Sequence, residues 1–493
     1  MRKKTTTRTH AHERVVQRLW NPRSIQKLAS DLATISCDAL TEQTGGLVRP
    51  PGSDQIARRI LRKDGRSLPT LVRAVQKASL HLSHPRYIAQ QVAAPIPAAA
   101  LVESVVAALN QSLAVWEMSP IATPIDRDLM ARFKKAFGYP RDANGSLVPG
   151  GAFANLTALL AARDALCAGA SKTGKARIAV IVGFQTHYSL SRAAGILGLG
   201  TDAVFPVPLD RDFSTDVTRV PEVFTAARGA GFRKFILVGT AGSTPTGSFD
   251  DLVALRDAAT KEGAWFHVDA AHGGGLAFSS LQRWRLKGIG LAHSITFDPH
   301  KMMFMPLSAG GVLVRDGAHL ATPLKEQAPY LFGSKRAWPD IGQFTIGCSQ
   351  RFDALKVWLV WRAYGPQVWD ALTTRVCDAC HAAFRYCSQS DVLEPAHESQ
   401  SNIFCFRLRR RGSAVAYDRL HWTIKETLNE SGFAYISSAV LDGRRVLRLS
   451  VMNPRTSLAD IYATLGRIES IAKTLIKRTE NKREFMRSAT SRT

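Results

Sequence analysis

At 493 residues the chain can bury a large core, and the length allows two or three domains. No stretch reaches the roughly 18 uninterrupted apolar residues of a spanning helix, since the nearest, residues 92–109, is broken by Pro95, Pro97 and Glu103. The net charge of +25 comes from Lys and Arg spread along the chain without a nucleic-acid motif, which reads as a basic enzyme surface rather than a nucleic-acid interface.

Residues 1–20 read as a basic arm with no apolar run behind Met1-Arg2-Lys3-Lys4-Thr5, so no secretory signal is expected and the protein is placed in the cytoplasm. Seven cysteines suit that reducing compartment. A helical pattern follows over residues 15–78, interrupted by the turn-rich residues 44–52. Further helices are predicted to end near residues 116–120 and to cover residues 126–137, stopped by Gly138. Gly150-Gly151 then opens an Ala- and Leu-rich helix, and two glycines at a helix start leave backbone N–H groups free to meet an anion. Strand-like runs at residues 177–182, 203–207 and 234–238, separated by helical or turn material, predict a largely parallel sheet. His187 sits just past the first of these strands, where an imidazole either stacks on a planar cofactor or is structural.

Two later strands carry chemistry. Residues 264–271 form a buried-strand pattern ending in the carboxylate Asp269, and Ser294-Ile295-Thr296-Phe297-Asp298-Pro299-His300-Lys301 delivers a histidine and a lysine at a carboxyl end. Lys301 follows Asp269 by 32 positions, enough for a crossover between neighbouring strands. A lysine amine can form a Schiff base with an aldehyde cofactor, and an Asp opposite a pyridinium nitrogen keeps that ring protonated as an electron sink. Residues 309–314 read as another strand and residues 351–363 as a helix stopped by Gly365-Pro366. A strand at 403–408, a hairpin at 435–451 turning at Asp442-Gly443, and a helix at 458–476 complete an α+β tail. The predicted domains are a basic arm with a helical segment (1–83), a large α/β domain (84–366), a small α+β domain (367–480) and a basic tail (481–493). Cys377-Asp378-Ala379-Cys380-His381 matches a haem-attachment pattern, but its helical context makes the thiols small apolar residues on one face. No metal site is expected.

The ordered segments Gly150-Gly151-Ala152-Phe153-Ala154-Asn155-Leu156, His187-Tyr188-Ser189, Thr240-Ala241-Gly242-Ser243-Thr244, His267-Val268-Asp269-Ala270-Ala271 and Asp298-Pro299-His300-Lys301 together resemble the group II amino acid decarboxylases that depend on pyridoxal 5'-phosphate (PLP). That family includes the glutamate, cysteine sulfinate, diaminobutyrate and aromatic amino acid enzymes. Residues 351–358 and 447–454 are similar to two further family segments, so the resemblance covers most of the chain. It implies the fold-type I architecture of PLP-dependent transferases and a homodimer with active sites at the interface. It also implies Lys301 as the Schiff-base lysine, Asp269 as partner of the ring nitrogen and His187 on the ring face. Gly151, Ala152, Ser243, Ala271, His300 and the partner subunit's Ser349 would hold the cofactor, and Arg448 would meet the carboxylate of a small amino acid substrate. The reaction implied is loss of CO₂ from an L-amino acid to give an amine.

The chain departs from the family pattern at several places. Ala152-Phe153 replaces a hydroxyl residue followed by Glu, His272 stands where an aromatic residue is usual, and Met302 follows the lysine where Trp is common. The stretch 333–343, where many members carry a loop tyrosine that helps protonate Cα, has none, and Pro339 stands in its place. Two alternatives therefore stay open, an oxidative deamination that yields an aldehyde and a weakened PLP-binding protein. A desulfurase with Cys348 as nucleophile is set aside, because Cys348 adjoins the 351–358 segment.

Overall fold

The computed structural model describes residues 21–41, 48, 53–61, 67–332, 337–409 and 413–490. Contacts divide the chain into a unit ending at His84 and a unit running from Pro85 to the carboxyl terminus. The first unit carries helices α1 (Pro22–Thr41), α2 (Ser53–Leu61) and α3 (Leu68–Ala78). Most of the turn-rich segment expected at 44–52, the basic arm at 1–20 and the end of the tail at 491–493 lie outside the described residues. Leu68, Leu71, Val72 and Val75 fall on one face of α3, yet α3 buries no residue fully, and Leu68 and Val75 are about half exposed.

The second unit opens with α4 (Pro97–Leu109), α5 (Ala122–Ala136) and strand β1 (Asn144–Val148), followed by α6 (Gly151–Leu166). Then come β2 (Ile178–Gly183), α7 (Ser189–Ile196), β3 (Val204–Val207), α8 (Val220–Gly229), β4 (Lys234–Thr240), α9 (Leu252–Lys261), β5 (Trp265–Ala270), β6 (Ser294–Phe297) and β7 (Gly310–Val314). These strands form one seven-stranded sheet in the order β1-β7-β6-β5-β4-β2-β3. β3, β2, β4, β5 and β6 run parallel, whereas β7 is antiparallel to both its neighbours. β2, β5 and β6 are buried throughout, as expected of strands covered on both faces. β1 had no alternating or β-branched signal in Asn-Gly-Ser-Leu-Val, and it exists through pairing with β7.

Aromatic side chains pack below β6. Phe133 meets Phe297 at 4.6 Å and Trp361 at 5.6 Å between ring centroids, and Trp361 meets Trp369 at 5.0 Å. Each such pair adds about 0.5–1.5 kcal/mol to the area term, which fixes the strand that leads to Lys301.

The remaining elements are α10 (Ala354–Tyr364), α11 (Gln367–Gln389), β8 (Leu393–Pro395), β9 (Ile403–Leu408), α12 (Ala414–Glu430), β10 (Ser437–Leu441), β11 (Arg444–Ser450) and α13 (Leu458–Thr490). β10-β11-β9-β8 form a second, antiparallel sheet. The β10–β11 hairpin turns at Asp442 and Gly443, both at positive φ (48° and 71°), the conformation for which Asp-Gly is suited. Several boundaries differ from the sequence expectation, and the helix expected to end near residues 116–120 is α4, which stops at Leu109 where Asn110 turns left-handed. α5 starts four residues earlier, the helix expected from residue 351 starts at Ala354, and α13 runs through the charged segment to Thr490 instead of ending near 476. Charged residues do not stop a helix when Gly and Pro are absent. Cys377 and Cys380 are buried on α11, and burial pushes the Cys377 thiol up to about 12.

Candidate active site

The parallel strands end at one edge of the sheet, and the residues beyond those ends line a cavity of about 260 Å³. Gly151, Ala152, His187, Asp269, Ala271, His300 and Lys301 all line it. β5 and β6 are hydrogen-bonded neighbours, with Asp269 opposite Thr296, so the carboxylate and the lysine are delivered by adjacent strand ends.

Glycine makes the cavity's roof possible. Gly150 takes φ +100°, and a Cβ on Gly151 would lie 2.7 Å from Asp298 Oδ2 and 2.9 Å from the Ala271 Cβ. The start of α6 can therefore close against the strand ends. Its first N–H groups, on Gly151 and Ala152, precede the first helical bonds, which run from Phe153 and Ala154 to Gly150 O.

Asp269 is 6% exposed, and its Oδ1 accepts from Ala271 N (3.0 Å) while Oδ2 accepts from Asn155 Nδ2 (2.9 Å). Lys301 Nζ lies 3.0 Å from Asp298 Oδ2. His300 donates through Nδ1 to the Ala309 carbonyl at 2.7 Å, which leaves Nε2 3.6 Å from the same Asp298 oxygen. Burial lowers the pKa of both His187 and His300, with Asp269 opposing this at His187 and Asp298 at His300. His187 is therefore a neutral imidazole near pH 7.

His272 is the unusual wall. Asn402 gives its Nδ2 to the Val451 carbonyl (2.9 Å) and so presents Oδ1 to His272 Nε2 at 2.8 Å. The ring's proton is thus on Nε2, and Nδ1 is buried without a partner. Burial and, next, the charge of Lys301 push the His272 pKa down to about 3.

Three expected site residues are not in the cavity wall of this chain. The Ser243 hydroxyl is 2.7 Å from Thr246 Oγ1, which bonds Ser248, which donates to Asp212 O. This one-way series turns the hydroxyl into its own turn, while the flanking Gly242 and Thr244 line the cavity. Arg448 is buried and commits four bonds, to the carbonyls of Thr244, Pro245 and Ala89 and to Ser437 Oγ. Ser349 is exposed. Of the expected loop, 333–336 lie outside the described residues, and Asp340 accepts from Trp116 N at 2.9 Å.

Asn155, Ser189, Asp298 and Thr244 belong to the site without having been given roles from sequence. A signal for Asn155 was present, because it lies one helical turn after Gly151 and so on the same face. Asp298 and His300 precede Lys301 in one tight turn, closed by Lys301 N on Asp298 O at 2.9 Å, which no periodicity reveals.

These residues fit the cofactor that the resemblance implies. Free N–H groups at a helix start suit a phosphate, a buried carboxylate suits a protonated ring nitrogen, and a primary amine shares the same cavity.

The chain is similar to proteins already known. The family described as "Pyridoxal-dependent decarboxylase conserved domain" matches residues 70–409. The L-2,4-diaminobutyrate decarboxylase of Rhizobium meliloti is 33% identical over 416 residues, covering 83% of this chain and 82% of that one. The cysteine sulfinic acid decarboxylase of Mus musculus is 29% identical, covering 82% of this chain and 85% of that one. Among solved structures, the glutamate decarboxylase domain of diaminobutyrate-pyruvate transaminase and L-2,4-diaminobutyrate decarboxylase from Vibrio parahaemolyticus superposes with a TM-score of 0.80 at 26% identity. It covers 91% of this chain and 96% of that chain.

Proposed function

The chain belongs to the pyridoxal-dependent decarboxylase family and is a PLP-dependent amino acid carboxy-lyase, and from that premise we propose how its residues divide the work. Lys301 holds the cofactor covalently, Asp269 pairs with its ring nitrogen, and His187 packs on its ring. Gly151, Ala152, Ala271 and His300 surround its phosphate end. The observation that carries this reading is the convergence of Asp269, Lys301 and His187 on one cavity at the carboxyl ends of β5, β6 and β2.

The bound cofactor supplies the electron sink that lets a carboxylate leave as CO₂. Asp269, already holding donors from Ala271 N and Asn155, keeps a full negative charge for the ring nitrogen's proton. A neutral His187 packs without repelling a protonated ring. Lys301 Nζ would hold the cofactor, and Asp298 Oδ2, its partner at 3.0 Å, would steady the amine whenever it is not so engaged. Arg448 fixes the Thr244–Pro245 wall and has one remaining Nη2 hydrogen for the substrate carboxylate. With no tyrosine in residues 333–343, water, His187 or a residue of the partner subunit would deliver the proton to Cα.

The substrate class is a short polar amino acid of the diamino or acidic kind. Among the described residues no Phe, Tyr or Trp lines the cavity of one chain, whereas His272, Thr240, Thr244 and Ser308 do. The relatives named above act, by their names, on 2,4-diaminobutyrate and cysteine sulfinic acid. CO₂ release from holoenzyme across the twenty amino acids, 2,4-diaminobutyrate and cysteine sulfinate should give the highest kcat/KM with 2,4-diaminobutyrate or an acidic substrate. A preference for tryptophan or tyrosine would contradict this assignment.

The working form is a homodimer in the cytoplasm. Phe153, Tyr188 and Leu307 are 41%, 60% and 59% exposed in one chain, beside the cavity residues Ala152, His187 and Ser308. α3 also leaves an apolar stripe uncovered within its own unit. A second copy is the occupant that would cover these surfaces and bring the partner subunit's Ser349 to the phosphate end. All seven cysteines are free, which suits a reducing compartment. Light scattering on the holoenzyme should give the mass of two chains, and a fully active monomer would contradict the dimer.

A further inference from the structure

Behind Asp269 a line of buried hydrogen bonds runs away from the cavity. Trp265, His267 and Asp269 alternate along β5 and so share one face of the strand, and His267 is in register with Ser294 on β6. Trp265 Nε1 donates to Ser294 Oγ at 2.9 Å. An indole nitrogen can only donate, so Trp265 occupies one lone pair of Ser294 Oγ and leaves the hydroxyl hydrogen to be given elsewhere. His267 Nδ1 lies 2.9 Å from Ser294 Oγ and receives it. The proton of the His267 ring is then on Nε2, which donates to Asn155 Oδ1 at 3.1 Å. That turns the amide's Nδ2 outward, and it donates to both Asp269 Oδ2 and Ser189 Oγ, each at 2.9 Å. Ser189 Oγ, occupied as an acceptor, donates to His187 Nδ1 at 2.7 Å, and Ser189 N also reaches that nitrogen at 3.2 Å.

The directions are fixed from the cavity end, where the Asp269 carboxylate can only accept and so turns Asn155 Oδ1 toward His267 Nε2, and where Ser189 N–H makes His187 Nδ1 an acceptor. The acceptor Nδ1 of His187 leaves the remaining ring proton on Nε2. Trp265, His267 and Ser294 are 5%, 0% and 0% exposed, so no water competes for these bonds. Burial holds His267 down to about 4, which keeps it neutral, as a one-proton relay member must be.

We propose that Trp265, Ser294 and His267, none of which lines the cavity, are positioning residues whose one-way hydrogen bonds, passed through Asn155, aim a donor at Asp269 and lock His187 as its Nε2–H tautomer. The proposal rests on Asp269 and His187 being the cofactor's ring partners. An unlocked Asn155 could present Oδ1 to Asp269, placing an oxygen against a carboxylate and releasing Ser189 from its role as donor to His187. The relay excludes that arrangement without any group touching substrate.

Nitrogen-15 spectra of histidine-labelled holoenzyme, together with cofactor dissociation constants, test the proposal. Wild-type His187 and His267 should each appear as the Nε2–H neutral tautomer at pH 7. His267→Phe should mix the His187 tautomers and weaken cofactor binding by about 10-fold, the low end of what losing an outer hydrogen-bond partner costs a bound metal ion. His267→Gln, whose amide N–H can reach Asn155 Oδ1, should restore the His187 signal and bring affinity to within about 3-fold of wild type, since it replaces one neutral hydrogen bond with another. Ser294→Ala, which removes the link while leaving the strand unchanged, serves where His267→Phe fails to fold, and the same loss of the single His187 tautomer is expected. A wild-type His187 protonated on Nδ1 would overturn the relay. So would a folded His267→Phe or Ser294→Ala protein that keeps both the His187 signal and the affinity. The tautomers are read whatever reaction is catalysed, so a holoenzyme lacking decarboxylase activity would count against the proposed function and not against the relay.

Discussion

Lys301→Ala is expected to abolish covalent attachment of the cofactor: after borohydride treatment, wild-type protein should retain the cofactor on the peptide containing Lys301, and the variant should retain none. Turnover should fall by on the order of 10⁴-fold, the upper end of what removing a single proton-transfer group costs, because this lysine both holds the cofactor and handles protons. A second effect is expected in the cofactor-free protein. Lys301 Nζ is the 3.0 Å partner of Asp298, whose side chain is 1% exposed, and Asp298 Oδ1 already lacks a partner. Removing one member of a buried ion pair typically costs roughly 3–5 kcal/mol, so Lys301→Ala should melt earlier than wild type in the absence of cofactor. Asp298→Asn in the same background should recover part of that loss. Equal trapping of cofactor in the variant would remove Lys301 from its role, and an unchanged melting temperature would mean that the pair is not formed in solution.

Asp269→Ala is expected to be the second most costly change, although in the proposed mechanism the side chain does not touch the bond that breaks. The substitution leaves the N–H groups of Ala271 and Asn155 pointing at an empty position and removes the charge from the ring nitrogen. Loss of one preorganised electrostatic partner costs about 10²–10³ in kcat. Asp269→Asn separates the two contributions, since it fills the space but can accept at only one of its two polar atoms. It should fall nearer Ala than wild type, with kcat reduced more than KM is raised. Turnover in Asp269→Ala within about 3-fold of wild type, well short of that electrostatic cost, would exclude a mechanism that relies on a protonated ring.

The parts of the site that were legible in the sequence share a physical cause. Asp269 and Lys301 ended short apolar runs, and a buried strand has only its carboxyl end at which to present a charged group. Gly150-Gly151 was visible because the close approach of α6 to Asp298 and Ala271 admits no side chain. What escaped were contacts decided by hydrogen-bond geometry. The four bonds of Arg448 to chain carbonyls and Ser437 are one such set, since a buried guanidinium draws its partners from segments distant in sequence. Ser243 carried the right chemistry, but its rotamer follows Thr246 and Ser248. β1 was missed because its pairing with β7, not its composition, makes it a strand. The charged end of α13 stays helical because residues 477–490 hold no Gly or Pro, and charge by itself does not mark a helix end.

The measurement that bears most directly on the proposed function is the stoichiometry of products made by holoenzyme under air from 2,4-diaminobutyrate or an acidic substrate. The absence of a tyrosine from residues 333–343 leaves protonation of Cα to water, to His187 or to a residue of the partner subunit, and a positioned substitute for a general acid costs rate, by roughly 10²–10⁴-fold at most, without changing the product. Amine and CO₂ should therefore appear in equal amounts, with no oxygen consumed and no peroxide formed. An aldehyde, ammonia and peroxide in step with CO₂ would contradict amine formation and assign the chain the oxidative reaction, and no CO₂ from any amino acid tested would contradict decarboxylation itself.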